Sequence, residues 1–84
     1  PEQPMTQRQF QKHLQESGIK LNLKSRMLTA GNTLFINGEA YPVNKHAFAT
    51  LTKLADDYTL PAAMPVDKET EALLYQWYLN GYMD

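Results

Sequence analysis

The chain has 84 residues, 43% of them hydrophobic, and eight basic side chains against nine acidic ones leave a net charge of −1. That is the size of one domain with one modest core, too apolar for a disordered segment and too near neutral to draw strongly on phosphate backbones or anionic lipid. The absence of cysteine excludes a disulfide framework and any thiolate zinc site and fits a reducing compartment, with the cytoplasm as the expected location; no apolar stretch approaches the roughly 20 residues of a membrane span.

Residues 1–5, Pro1-Glu2-Gln3-Pro4-Met5, read as a linker, and the start at Pro1 points to a piece of a longer protein. Residues 6–84 read as a single winged-helix-like domain. Thr6 and Gln9 have the spacing of a capping box, and Met5 and Phe10 that of a hydrophobic staple, so a first helix is expected from there to about Ser17. Gly18 follows as a left-handed cap. The apolar content of this helix, Phe10 and Leu14, is a thin stripe that docks on a core without building one.

Three short runs come next: Met27-Leu28-Thr29, Thr33 to Ile36 and Glu39-Ala40-Tyr41. Gly31-Asn32 separates the first two. Asn37-Gly38 separates the others and supplies the two positive-φ positions of a type I′ turn. An antiparallel three-stranded meander follows, with Pro42 pushing the last strand to an edge because it has no N–H for a ladder.

Asn44 caps a second helix, with Val43 and Phe48 spaced as a second staple and Phe48, Leu51, Leu54, Ala55 and Tyr58 on its core face. Residues 60–65 form a connector bounded by Pro61 and Pro65, with room for one helical turn. Asp67 caps a third helix over residues 68–80, with Glu69 and Glu71 at the positive end of its dipole and Gly81 just past its end. One helix, three strands and two more helices, with no parallel crossover, give an α+β fold of winged-helix type.

Catalytic constellations are missing from this pattern. His13 and His46 sit in different helices with no second ligand at a metal-binding spacing. Ser17 and Ser25 lie in no nucleophile elbow, the four glycines stand singly at element ends, and Asp56-Asp57 reads as a solvated helix end. The chain alone is therefore expected to be no enzyme and to hold no metal or cofactor.

Two surfaces remain as candidates. The third helix carries Leu73-Leu74-Tyr75-Gln76-Trp77-Tyr78-Leu79, followed by Tyr82, too much apolar surface for one side. Such a helix is buried on both sides, either in its own fold or against a partner, and Tyr75, Trp77, Tyr78 and Tyr82 are the candidate contact set. Lys20, Lys24 and Arg26 form a basic cluster before the meander, the alternative being a nucleic-acid-binding winged helix. Against that alternative, the third helix offers Lys68 as its one basic residue beside Glu69 and Glu71.

The stretch Gly31-Asn32-Thr33-Leu34-Phe35-Ile36-Asn37-Gly38-Glu39-Ala40, the segment Leu51-Thr52-Lys53-Leu54-Ala55, and Leu73-Leu74 through Asn80-Gly81-Tyr82 resemble the C-terminal winged-helix region of bacterial cupin-fold, JmjC-type ribosomal oxygenases. Those enzymes use iron(II) and 2-oxoglutarate to hydroxylate arginine in a large-subunit ribosomal protein. The resemblance covers nearly the whole chain. It implies iron ligands and 2-oxoglutarate contacts in an upstream catalytic domain, since no residue here matches the family's His-x-Asp and distant His. It also implies a terminal module that packs against the catalytic and dimerisation domains of a homodimeric parent, contributes domain packing, dimer assembly or substrate-side surface, and does not read DNA. Its partners would be those domains and a ribosomal protein.

Overall fold

The computed structural model describes residues 3–84; the start of the expected linker, Pro1 and Glu2, lies outside the described residues. The elements run α1 (Gln7–Ser17), β1 (Ile19–Lys20), β2 (Met27–Ala30), β3 (Thr33–Ile36), β4 (Glu39–Pro42), α2 (Lys45–Asp57), β5 (Thr59–Leu60) and α3 (Lys68–Leu79). The fold is α+β, three helices with an antiparallel meander β2-β3-β4, as in a winged helix. A second sheet, absent from the sequence expectation, pairs β1 with β5 through Ile19 opposite Leu60. Met83 bridges to Leu21 beside it, so the final residues lie against the same segment.

Local chemistry explains most boundaries. The Thr6 hydroxyl accepts from the Gln9 N–H and the Gln9 carboxamide accepts from the Thr6 N–H, a complete capping box. Asn37 takes φ 49° in its turn, and its side-chain oxygen also accepts from the Arg26 N–H while its own N–H donates to the Arg26 carbonyl. The turn residue thereby fastens the chain as it enters β2. The connector holds a turn at Ala62 and Ala63 that is not helical, since Ala63 takes φ 60° and its N–H donates to the Gln15 carbonyl near the end of α1.

The core gathers Phe10 and Leu14 from α1, Ile19 and Leu21, Met27, Leu34 and Ile36 from the meander, Leu51 and Leu54 from α2, and Leu74 and Trp77 from α3. On α2 the buried positions are Ala47, Thr50, Leu51 and Leu54, and Phe48 stands outside the core cluster. Steps of three and four residues from Leu54 reach Leu51, Thr50 and Ala47, which leaves Phe48 at the margin of the buried face. Tyr58, also expected on that face, is half-buried and ends α2 in a left-handed conformation, φ 62°, held by its N–H to Leu54 and its hydroxyl to the Ser25 carbonyl.

The N-termini of α2 and α3 are fastened together. Asn44 caps α2 by accepting from the Ala47 N–H at 2.8 Å, and its amide donates to Glu69 at 2.7 Å and to Asp67 at 3.2 Å. Asp67 caps α3 through the Thr70 N–H and hydroxyl. The Thr70 hydroxyl first, and its N–H next, hold the Asp67 carboxyl below the usual carboxylate range. A depressed folded pKa means that the carboxylate stabilises the fold above about pH 4 and loses that contribution as the pH falls through its folded value. Asp67→Ala is expected to cost about 1 kcal/mol at pH 7. Urea unfolding repeated at descending pH should show the gap between the two proteins closing below about pH 4.

Candidate contact surface

The aromatic set of α3 is directed largely inward. Trp77 is fully buried beneath Tyr41, whose ring meets it edge-on at 5.4 Å. Its indole therefore offers no surface to a partner, contrary to its place in the expected contact set. Tyr75 and Tyr78 are half-buried, and each packs against Phe10 of α1, with ring centroids 5.5 Å and 5.2 Å away. Their hydroxyls meet the chain just before α1. Tyr78 Oη accepts from the Met5 N–H at 2.8 Å, and Tyr75 Oη donates to the Met5 carbonyl at 2.9 Å. Tyr82 is half-buried against the core, and its carbonyl accepts from the Asn22 N–H and the Ser25 hydroxyl. Contacts with α2 on one side and α1 on the other account for the helix's all-round apolar character.

Lys20, Lys24 and Arg26 are all exposed, Lys20 on β1 and the other two in the loop before β2. The carboxylate of Asp84 lies beside this segment, accepting from the Asn22 amide, while the Asp84 N–H donates to the Lys20 carbonyl. The exposed positions of α3 are Lys68, Glu69, Ala72, Gln76 and Leu79, which place one cation and one base-reading amide where a groove-binding helix needs several.

A surface that the sequence reading did not single out lies on the meander. Met27 pairs with Ile36 and Thr29 with Leu34, so alternation turns Met27, Leu34 and Ile36 inward. The opposite face carries Leu28, Phe35 and Ala40 in one cross-strand row and Ala30, Thr33 and Pro42 in the next. None of the six is charged, and Leu28 is 67% exposed. An antiparallel sheet with one solvated face ordinarily alternates apolar inward with polar outward, and edge strands ordinarily carry charges. The unbroken run Leu34-Phe35-Ile36 is the sequence signal for this second apolar face.

The profile of the ROXA-like winged helix matches residues 1–84, the whole chain. The chain belongs to the ROXA-like winged helix family. The match agrees with the resemblance carried by the turn-strand stretch 31–40 and by Asn80-Gly81-Tyr82. Neither the curated proteins nor the solved structures yield a match.

The residues of this ROXA-like winged helix do not assemble the ligands of an iron site. An iron triad needs two histidines and an acid converging on one point. His13 is exposed on α1 and His46 is exposed in the first turn of α2. Among the described residues no group of three or more His, Cys, Asp or Glu stands close enough to hold a metal ion. Among them, too, no helix is long and apolar enough to cross a membrane.

Proposed function

We propose that this ROXA-like winged helix is a non-catalytic accessory module of a cytoplasmic, homodimeric, 2-oxoglutarate- and iron(II)-dependent ribosomal-protein hydroxylase. Its role is to pack against the catalytic and dimerisation domains of that protein and help present the substrate-side surface. The observation that carries this reading is the uncharged outer face of the meander, Leu28, Phe35 and Ala40 with their neighbours. Standard strand spacings give it about 14 Å along the strands and about 10 Å across. A footprint on the order of 150 Å² falls well short of the roughly 800 Å² per side that a free partner needs. It suits a covalently linked neighbour, whose high effective concentration makes a small apolar contact sufficient. A protein contact is favoured over a nucleic-acid one by the single basic residue on α3.

Leu28→Asp tests this. Because Leu28 is solvent-exposed, the substitution should change the stability of the domain by less than about 0.5 kcal/mol. In the intact hydroxylase it should raise amide exchange across β2 and β3 and speed proteolysis between the module and its neighbour. Unchanged exchange in the intact protein would remove the sheet face from the contact. Salt-dependent binding of duplex DNA or RNA by this chain, abolished by Lys20→Glu, Lys24→Glu and Arg26→Glu together, would replace the reading with the nucleic-acid one.

A further inference from the structure

The lead-in to α1 is bound more tightly than a linker requires. Pro4 restricts its own φ, the Met5 N–H and carbonyl are both taken by tyrosine hydroxyls of α3, and the Thr6 N–H is taken by Gln9. The two tyrosines lie more than 65 residues from Met5 in sequence, at separations of 70 and 73. They are neighbours in space because positions 75 and 78 are three apart on a helix. Their rings stack on one another at 6.1 Å and flank Phe10, which fixes both hydroxyls relative to α1. One residue's donor and acceptor are thus read together, as a strand would read them.

We infer that Tyr75 and Tyr78 form a main-chain clamp on Met5 that makes residues 3–6 a stiff joint with α3 and sets the direction in which the chain enters the domain. The clamp rests on the geometry of these hydroxyls alone. Its consequence, a fixed orientation of the module toward the domain before it, rests on the accessory-module reading. In this arrangement Tyr75 and Tyr78 are positioning residues: they hold the joint, and the sheet face makes the contact. Displacement of α3 is transmitted to the lead-in through two hydrogen bonds, and strain on the lead-in reaches α3 by the same route.

Tyr75→Phe and Tyr78→Phe test the clamp, since each removes a hydroxyl and keeps the ring against Phe10. Residue-resolved amide exchange in the intact protein should show the Met5 amide accelerated about tenfold by Tyr78→Phe, the net worth of one hydrogen bond. The amides of Leu51 and Leu74 should stay within about twofold, which separates loss of the clamp from loss of the fold. Tyr41→Phe, whose hydroxyl donates to Glu39 instead, should leave Met5 unchanged. A nitroxide at Gln3→Cys should be immobilised in the parent and several-fold more mobile in the double variant. A Met5 amide that exchanges at the open-chain rate in the unsubstituted protein, or is indifferent to Tyr78→Phe, would overturn the clamp. Leu28→Asp reads the accessory-module proposal separately, so the two can fail independently.

Discussion

Replacing Gly18 with alanine is expected to cost at least about 3 kcal/mol, a large part of the stability of a domain of this size. Gly18 closes α1 with its N–H on the Leu14 carbonyl, at φ 73° and ψ −161°. This is not the left-handed helical conformation of an ordinary cap but a region open essentially to glycine alone. A Cβ there would meet the Leu60 carbonyl oxygen at 2.1 Å and the backbone of Pro61 and Ala62 at about 3 Å. These are main-chain atoms of β5 and the connector, so no rotamer change relieves the clash. Relief would require separating β1 from β5, with Ile19 and Leu60 both in the core. Gly81→Ala supplies the contrast. It has φ 85° but nothing within 4 Å of the added methyl, and should cost only about 1 to 2 kcal/mol. Urea midpoints of the two variants give the comparison directly, and equal costs would show that backbone conformation, and not the approach of β5, limits position 18.

Gly18 also marks where the sequence stops being informative. That a helix ends there is readable from the residue type, whereas the reason for glycine lies some 40 residues away in the backbone of β5. The meander and the three caps were legible because their signals are local: Asn37-Gly38 specifies a turn, and Thr6, Asn44 and Asp67 each satisfy N–H groups within three residues. The β1–β5 pair was illegible for the opposite reason, as two-residue strands carry no periodicity and their pairing is entirely long-range. Among the aromatics, composition identified α3 as surrounded but could not say by what. The neighbours on one side are Phe10 and the Met5 peptide, brought there by the packing of α1. The outer sheet face is not legible in the run Leu34-Phe35-Ile36 alone, because a short apolar run does not say what lies beside it in a sheet. Its two-sided apolar character becomes visible only once the register sets Leu28 and Ala40 beside Phe35.

Trp77→Ala is expected to cost about 3 to 5 kcal/mol, a large part of the roughly 4 to 13 kcal/mol available to a domain of this size. Trp77 is fully buried at the centre of a core drawn from both sheets and all three helices. It also supports Tyr41 and, through its carbonyl, the Tyr82 N–H that begins the C-terminal strand-like segment. The main-chain bond survives substitution, but the cavity does not collapse easily between α2, α3 and the meander. Trp77→Phe should be far milder. The indole N–H makes no hydrogen bond of standard geometry among the described residues, with only the nearby Tyr41 hydroxyl as a weak partner, so phenylalanine gives up volume and little polar interaction. A net cost below about 1.5 kcal/mol is expected by urea denaturation. A phenylalanine variant as damaged as the alanine one would mean that the indole nitrogen is bonded after all. The pair of substitutions thus tests whether Trp77 acts by volume alone. If it does, α3 is divided between a core residue that holds the fold and two tyrosines that hold the lead-in, and the uncharged outer face of the meander is the surface that the proposed accessory role assigns to a neighbouring domain.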